Sequence, residues 1–301
     1  MKILITGGLG FIGSNLSTYL LDQGHVVIAV GRAATQNRIR SNRYQYIAAD
    51  TTQAGDWQQA LSDADGVVNL AGKSIFKRWS KTYKQAIYDS RILTTRNVVE
   101  ALPAGQAVTL CSASGCGYYG NRGDDLIKED EKPGDDFLAS VSTDWEAAAL
   151  KATAKGIRVA LMRFGVVLGK GGGALARMIP AFKFFMGGPI GSGTQWFPWI
   201  HLTDLMAAIA FIFENPQISG PLNFCAPKAV TNRELAKALG EVLGRPAVVP
   251  APAFMIRMVL GEFGNVLLDG QHTIPAKLLK HGFQFQYPDI QSAIQAVVAG
   301  K

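Results

Sequence analysis

At 301 residues, with a net charge of +7 and 48% hydrophobic against 18% charged residues, the chain can bury a sizeable core, enough for one large α/β domain or a nucleotide domain with a smaller companion. No apolar run approaches the roughly 20 residues that cross a bilayer, and Met1-Lys2 leads straight into a strand-like run, so no membrane partner and no signal peptide are expected. The positive balance does not point to nucleic acid: Lys and Arg are scattered, and the tightest group, Arg32 with Arg38, Arg40 and Arg43, follows a predicted strand where a phosphorylated cofactor accounts for it.

The first dozen residues organise the rest. Lys2-Ile3-Leu4-Ile5-Thr6 is a short buried-strand run, broken by Gly7-Gly8-Leu9-Gly10-Phe11-Ile12-Gly13 and followed by a helical pattern through Leu16, Tyr19 and Leu20. Strand, glycine turn and helix is the setting of a dinucleotide-binding fingerprint. Gly7 permits the tight turn, Gly10 admits a pyrophosphate to the backbone, and Gly13 lets the helix pack on the strand. A second strand, His25-Val26-Val27-Ile28-Ala29-Val30, ends in Gly31-Arg32. Where an NAD-specific fold places an acid for the ribose 2′-hydroxyl, this chain has Arg32, whose guanidinium suits a 2′-phosphate. The cofactor expected is therefore NADP(H).

Tyr44 to Ala48 reads as a third strand, closed by Asp50 as a contact to the adenine end. Val67-Val68-Asn69-Leu70-Ala71-Gly72 is a fourth, running beside the nicotinamide ribose, and a long helix follows over roughly 81–101. The fifth, Val108 to Cys111, leads into Ser112-Ala113-Ser114 and Gly117-Tyr118-Tyr119-Gly120; a helix through Trp145 and Glu146 precedes the sixth, Arg158 to Phe164. This alternation predicts a Rossmann-type doubly wound parallel sheet over residues 1–168, with some later segments returning to it. From 169 to 301 the texture turns to Phe, Met, Pro and Gly, which reads as a smaller C-terminal, substrate-binding lobe; within it Thr231-Asn232-Arg233-Glu234 is a capping box. Cys111, Cys116 and Cys225 are an odd set without metal-ligand spacing, so a reduced cytoplasmic setting is expected, with no disulfide and no metal site.

Several of these stretches together resemble the extended short-chain dehydrogenase/reductase superfamily: Thr6 to Gly13, Asn69 to Gly72, Ser112-Ala113-Ser114 with Tyr118-Tyr119-Gly120, and Trp199-Ile200-His201-Leu202-Thr203-Asp204. Gly187 to Gly193 and Trp196 to His201 are similar to an atypical, sugar-nucleotide epimerase-like subgroup of unknown substrate, and the tail from about 248 onward resembles its distinctive C-terminal domain. The resemblance covers essentially the whole chain. It implies NADP(H) held by Gly7, Gly10, Phe11, Ile12 and Gly13, with Arg32 at the 2′-phosphate, Leu70, Ala71 and Gly72 along the cofactor, and Arg163 and Val166 near the nicotinamide. Ser112 ends its strand or touches the cofactor.

One departure stands out. Extended reductases carry a Tyr-x-x-x-Lys pair on the helix after the fifth strand, the lysine tuning the tyrosine for proton exchange. No tyrosine here has a lysine at that spacing; counted back from Glu146, the two positions fall on Leu138 and Ser142. By the resemblance Ser114 matches the active-site serine, and Tyr118 and Tyr119 are the nearest phenols to replace the missing acid. His201 reads as structural, with Thr203 or Asp204 capping a helix. Cys116 lacks a basic partner that would make it a reactive thiolate. Lys73 is read as an exposed loop residue rather than a phosphate or substrate contact, and Lys77, Arg78 and Lys81 as a solvated face, the alternative being a group that greets an anionic substrate. The reading is an NADP(H)-dependent oxidoreductase or epimerase-like protein for a small hydroxylated or nucleotide-linked substrate, or a regulator that keeps the cofactor site without the chemistry. A homodimer through helices flanking the sheet is compatible with it.

Overall fold

The apolar runs assemble as one parallel sheet. In the computed structural model, which describes residues 1–36 and 38–300, the sheet strands are β1 (Lys2–Thr6), β2 (Val26–Gly31), β3 (Tyr44–Ala48), β4 (Gly66–Asn69), β5 (Thr109–Gly115), β6 (Arg158–Phe164) and β7 (Gly220–Phe224). Their spatial order is 7-6-5-4-1-2-3, all neighbours parallel. Four helices flank them: α1 (Phe11–Asp22), α2 (Lys81–Ala101), α3 (Phe137–Leu150) and α4 (Leu202–Glu214), with a short helix, Leu175–Lys183, preceding the last in the chain.

Successive strand residues face opposite sides, and each side has its own core. Ile3, Ile5, Val27 and Val68 pack with Leu16 and Leu20 of α1 and Leu205 and Ile209 of α4. Leu4, Ile28, Val67 and Leu110 pack with Val98 and Val99 of α2 and Ala149 of α3. Arg158, opening β6, donates from Nη1 to the carbonyls of Ile212 and Ile218 at 3.0 and 2.9 Å, meeting the negative end of α4.

The large sheet has one strand more than the six expected. β7 reads Gly-Pro-Leu-Asn-Phe, without the unbroken apolar run of a central strand, and its position at the sheet edge is where a proline is tolerated. β5 also runs further than expected, through Ser112 and Ser114 to Gly115, because register with β6 continues to Phe164.

Residues after β6 form a third core of Leu168, Phe182, Trp199, Leu235, Leu239 and Ile294. The capping box forms as expected: Thr231 Oγ1 accepts from Glu234 N, and Glu234 Oε2 accepts from Thr231 N at 2.7 Å. Strand order reverses between β1 and β4, so a crevice opens at their carboxyl ends, the place where open α/β sheets take ligands.

Candidate functional site

The crevice begins at the glycine turn. Gly7 has φ +68°, and a Cβ there would stand 3.0 Å from the backbone nitrogen of Ala71, so turn and β4 exit touch main chain to main chain. Gly10, the exposed N-cap of α1, would place a Cβ near nothing but Gly7 O, at 3.1 Å. Gly13 has a slightly different task from the one expected. Its Cβ would meet Gly7 O at 2.4 Å and Gly8 Cα at 2.8 Å, so it lets the helix close on the turn itself rather than on the strand. Gly8, to which the sequence assigned no task, lies against Ala29 of β2. The first turn of α1 carries no acid, leaving the N–H groups near Phe11 and Ile12 at a positive helix end suited to an anion.

Phe11 also has a packing task. A Cβ on Gly172 would fall 2.3 Å from its ring, so the 169–173 loop rests on this side chain. Across the crevice, Thr6 Oγ1 donates to Asn69 Oδ1 (2.7 Å) and accepts from the N–H groups of Leu70 and Ala71 (3.2 and 3.3 Å). Asn69 Nδ2 donates in turn to Thr95 Oγ1 at 2.8 Å, which also accepts from Trp145. Arg91 donates to Lys73 O at 3.0 Å and packs behind Gly72. Leu70 and Ala71 are half-buried and Gly72 is exposed, held as a shelf by this buried scaffold. Thr6, Asn69, Thr95 and Arg91 were missed by the sequence reading, although a polar residue ending each of two apolar strands was a usable signal.

At the outer end, Arg32 is exposed directly after β2. Asp50 is exposed too, with its carboxylate accepting from Thr52 N and Oγ1 (3.1 and 2.8 Å) to close a turn. Ser112 has no exposed surface and accepts from Asn69 at 3.4 Å, so it lies inside the sheet and not against the cofactor crevice.

At the inner end lies a buried polar cluster. Arg163 forms a fork with Glu146, Nε to Oε1 and Nη2 to Oε2, both at 2.8 Å. Its Nη1 donates to Tyr119 Oη (2.9 Å) and to Glu129 O (3.0 Å). Burial works against the guanidinium's charge, but the Glu146 hydrogen bonds and charge outweigh it, and its pKa is raised. Arg163 is thus a buried structural cation beneath the crevice, not a group extended toward a nicotinamide.

Ser114, opposite Arg163 in register, donates to Glu146 Oε1 at 2.7 Å and is buried. Its hydroxyl is turned inward, which corrects its expected place as an active-site hydroxyl. Tyr119 is corrected likewise. It is fully buried, donates to Asn223 Oδ1 at 2.6 Å, and burial raises its pKa despite the opposing Arg163 charge. Tyr118 differs: the Arg163 guanidinium carbon lies over its ring, 3.5 Å from the centroid, and the ring is edge-on to Tyr119 and half-exposed. The preceding Gly117 packs against Leu138, the residue standing at the first position of the absent pair, while Ser142 is buried on α3. Val166 is half-buried just beyond β6, its N–H donating to Pro198 O.

Residues 3–223 match the model of the NAD dependent epimerase/dehydratase family, and residues 251–297 match a domain of unknown function, DUF1731. The chain belongs to the NAD dependent epimerase/dehydratase family. It is 39% identical over 302 residues to the chloroplastic SDR39U1 homolog of Arabidopsis thaliana, an epimerase family protein, covering 99% of this chain and 87% of that one. It is 38% identical over 305 residues to the epimerase family protein YfhF of Bacillus subtilis, covering 100% and 99%. The crystal structure of human epimerase family protein SDR39U1 with NADPH superposes with a TM-score of 0.87 at 34% identity, covering all of both chains.

Several other titratable groups have contacts within the fold. Cys116 is buried, its thiol pushed up to about 12 by burial, and it donates to Arg163 O. Lys73 and Lys77 both lie over the Tyr83 ring. Asp269 is held above the usual carboxylate range by burial and by the nearby Asp136 charge.

His201 itself, rather than Thr203 or Asp204, is the N-cap of α4: its Nδ1 accepts from Thr203 N at 3.2 Å. Asp204 accepts from Gln286 N and Tyr287 N, tying the tail to the first turn of α4. Burial lowers the His201 pKa from 6.5 to about 4. The unfolded chain therefore takes up this proton more readily than the folded one. The histidine's contribution is complete above pH 6.5 and drains away as pH falls toward 4, a loss of up to roughly 3 kcal/mol. In urea melts, His201→Asn, which keeps a capping acceptor, should flatten stability across that window relative to wild type.

Proposed function

We propose that this protein is an NADP(H)-dependent oxidoreductase of epimerase-like type, acting on a small hydroxylated or nucleotide-linked substrate. The observation that carries the reading is a glycine cradle at the strand-order reversal, open above Gly10, with the half-exposed phenol of Tyr118 at the inner end. The crevice fits a dinucleotide. The N–H groups near Phe11 and Ile12 would hold the pyrophosphate, the Leu70–Gly72 shelf would flank the nicotinamide half, and Arg32 would meet the 2′-phosphate. NADPH bound to the human relative supports that choice. When bound, the cofactor supplies or accepts a hydride.

The chain's own residues then handle position and proton. Tyr118 gives or takes a proton at Oη, and Arg163 beneath it, itself fixed by Glu146, holds the ring in one plane. Lys77, Arg78 and Lys81 are exposed, follow the Leu70–Gly72 shelf in the chain, and would suit an anionic substrate. A second reading, an NADP(H)-binding regulator with reduced chemistry, is favoured by Leu138 and Ser142 at the missing pair and by the inward turn of Ser114.

The test has two stages. Thermal-shift titrations with NADPH, NADP⁺, NADH and NAD⁺ should give stabilisation by the NADP pair of about 2.7 kcal/mol at 100 times Kd, selectively lost in Arg32→Ala. Nucleotide oxidation across a panel of carbonyl and sugar-nucleotide substrates should then be abolished by Tyr118→Phe while cofactor stabilisation survives. Binding without turnover on any substrate would favour the regulator; no stabilisation by any of the four nucleotides would sink both readings.

A further inference from the structure

Outside the crevice, one face of the lobe is unusual. Of the fifteen large apolar side chains exposed among the described residues, nine fall in two stretches, 184–186 and 248–259. Phe184 is 77% exposed, Val248 75%, and Phe254 67%. The stretches are neighbours: Val249 N donates to Gly187 O at 3.0 Å and Ala251 N to Pro189 O at 2.9 Å. The helix Ala253–Leu260 has no buried residue, and Phe254 and Met258, with Met255 and Val259 beside them, form one stripe at i,i+4 spacing. Phe185 is the one non-glycine residue with positive φ (61°) among those described, an uncommon state for a bulky side chain, and Arg245 stacks on its ring at 4.6 Å. Solitary exposed apolar residues need no explanation, but a cluster of this density does.

Within the two stretches the charges have one sign. Residues 171–193 and 244–261 contain Arg177, Lys183, Arg245 and Arg257 and no Asp or Glu. The acids just outside, Glu241 and Glu262, pair with Lys237 and Lys84. A second copy of the chain is a poor partner, because a two-fold contact would set these cations against themselves. A surface of lipid phosphates would meet them with opposite charge.

We propose that this face docks on an anionic lipid bilayer, with the Phe and Met side chains entering the headgroup boundary and the cations meeting lipid phosphates. The contact is peripheral and departs from the sequence-based expectation of no membrane partner. It does not depend on the dinucleotide crevice or on the chemistry proposed there.

Flotation of the full-length protein with vesicles of phosphatidylcholine alone, or mixed with phosphatidylglycerol, tests it. The protein should float with the mixed vesicles and stay behind with the neutral ones, and added salt should release it. The triple variant Phe184→Ser/Phe254→Ser/Met258→Ser should lose flotation with an unchanged melting temperature, since all three side chains are exposed. Lys183→Ala with Arg245→Ala should weaken binding roughly thirtyfold. No flotation with anionic vesicles would overturn the proposal. So would light scattering that finds a dimer which the triple variant turns into monomers, because the face would then be covered by a second copy.

Discussion

Glu146→Leu should cost the fold roughly 3–5 kcal/mol, a large part of the 5–15 kcal/mol that holds a domain together. The substitution leaves the Arg163 guanidinium, 3% exposed, without its two-point partner. An arginine cannot shed its proton to escape a dry interior. Tyr119 Oη and Glu129 O still accept from Nη1, but neither carries the compensating charge. Ser114 loses the acceptor of its hydroxyl as well.

Arg163→Met should cost less, because an abandoned carboxylate can take up a proton and become neutral. The double variant, Glu146→Leu with Arg163→Met, should recover much of the loss, since replacing both members of a buried pair by apolar residues removes the desolvation cost together with the attraction. Urea melts of the four proteins at one pH supply the cycle. A double variant as unstable as the sum of the singles would mean that the pair is not acting as a buried ion pair. The same cycle bears on chemistry, because the Tyr118 ring rests on this guanidinium. Any single variant that stays folded should therefore lose turnover before it loses cofactor.

How far the sequence could be read follows from the range of each interaction. The glycine turn, the six strands counted and the capping box at Thr231 are encoded by residues within a few positions of one another, so period and residue type sufficed. β7 escaped because Pro221 and Asn223 interrupt its apolar run, and only its pairing with β6 makes it a strand. The cluster beneath the crevice was invisible for a different reason. Ser114 and Glu146 are 32 residues apart, Tyr119 and Asn223 are 104 apart, and all but the tyrosine are of types that ordinarily face water. Counting along α3 identified the missing Tyr-x-x-x-Lys pair, but it could not reveal that Glu146, used only as a landmark, claims the Ser114 proton. His201 was read as structural, yet its role as a cap depends on the backbone angle entering α4.

Gly10→Ala and Gly13→Ala should separate two functions that the glycine turn combines. Gly13→Ala brings a methyl to 2.4 Å from Gly7 O and 2.8 Å from Gly8 Cα. Both obstacles are backbone and cannot swing aside, so the turn must reshape, with a stability loss of about 1–3 kcal/mol. Gly10→Ala meets only Gly7 O at 3.1 Å, and its φ of −70° is open to any residue. Its stability should stay within about 0.5 kcal/mol of wild type. The new methyl nevertheless points into the space where a pyrophosphate would approach the helix end. Melting each variant with and without NADPH distinguishes the effects. At a concentration giving wild type about 2.7 kcal/mol of stabilisation, a hundredfold weaker site retains only about 0.4 kcal/mol. Gly10→Ala should fall to that level while melting normally alone, and Gly13→Ala should fail on both counts. Full NADPH stabilisation of Gly10→Ala would mean that no phosphate lies over this turn, and the cofactor would then have to enter the crevice by another edge.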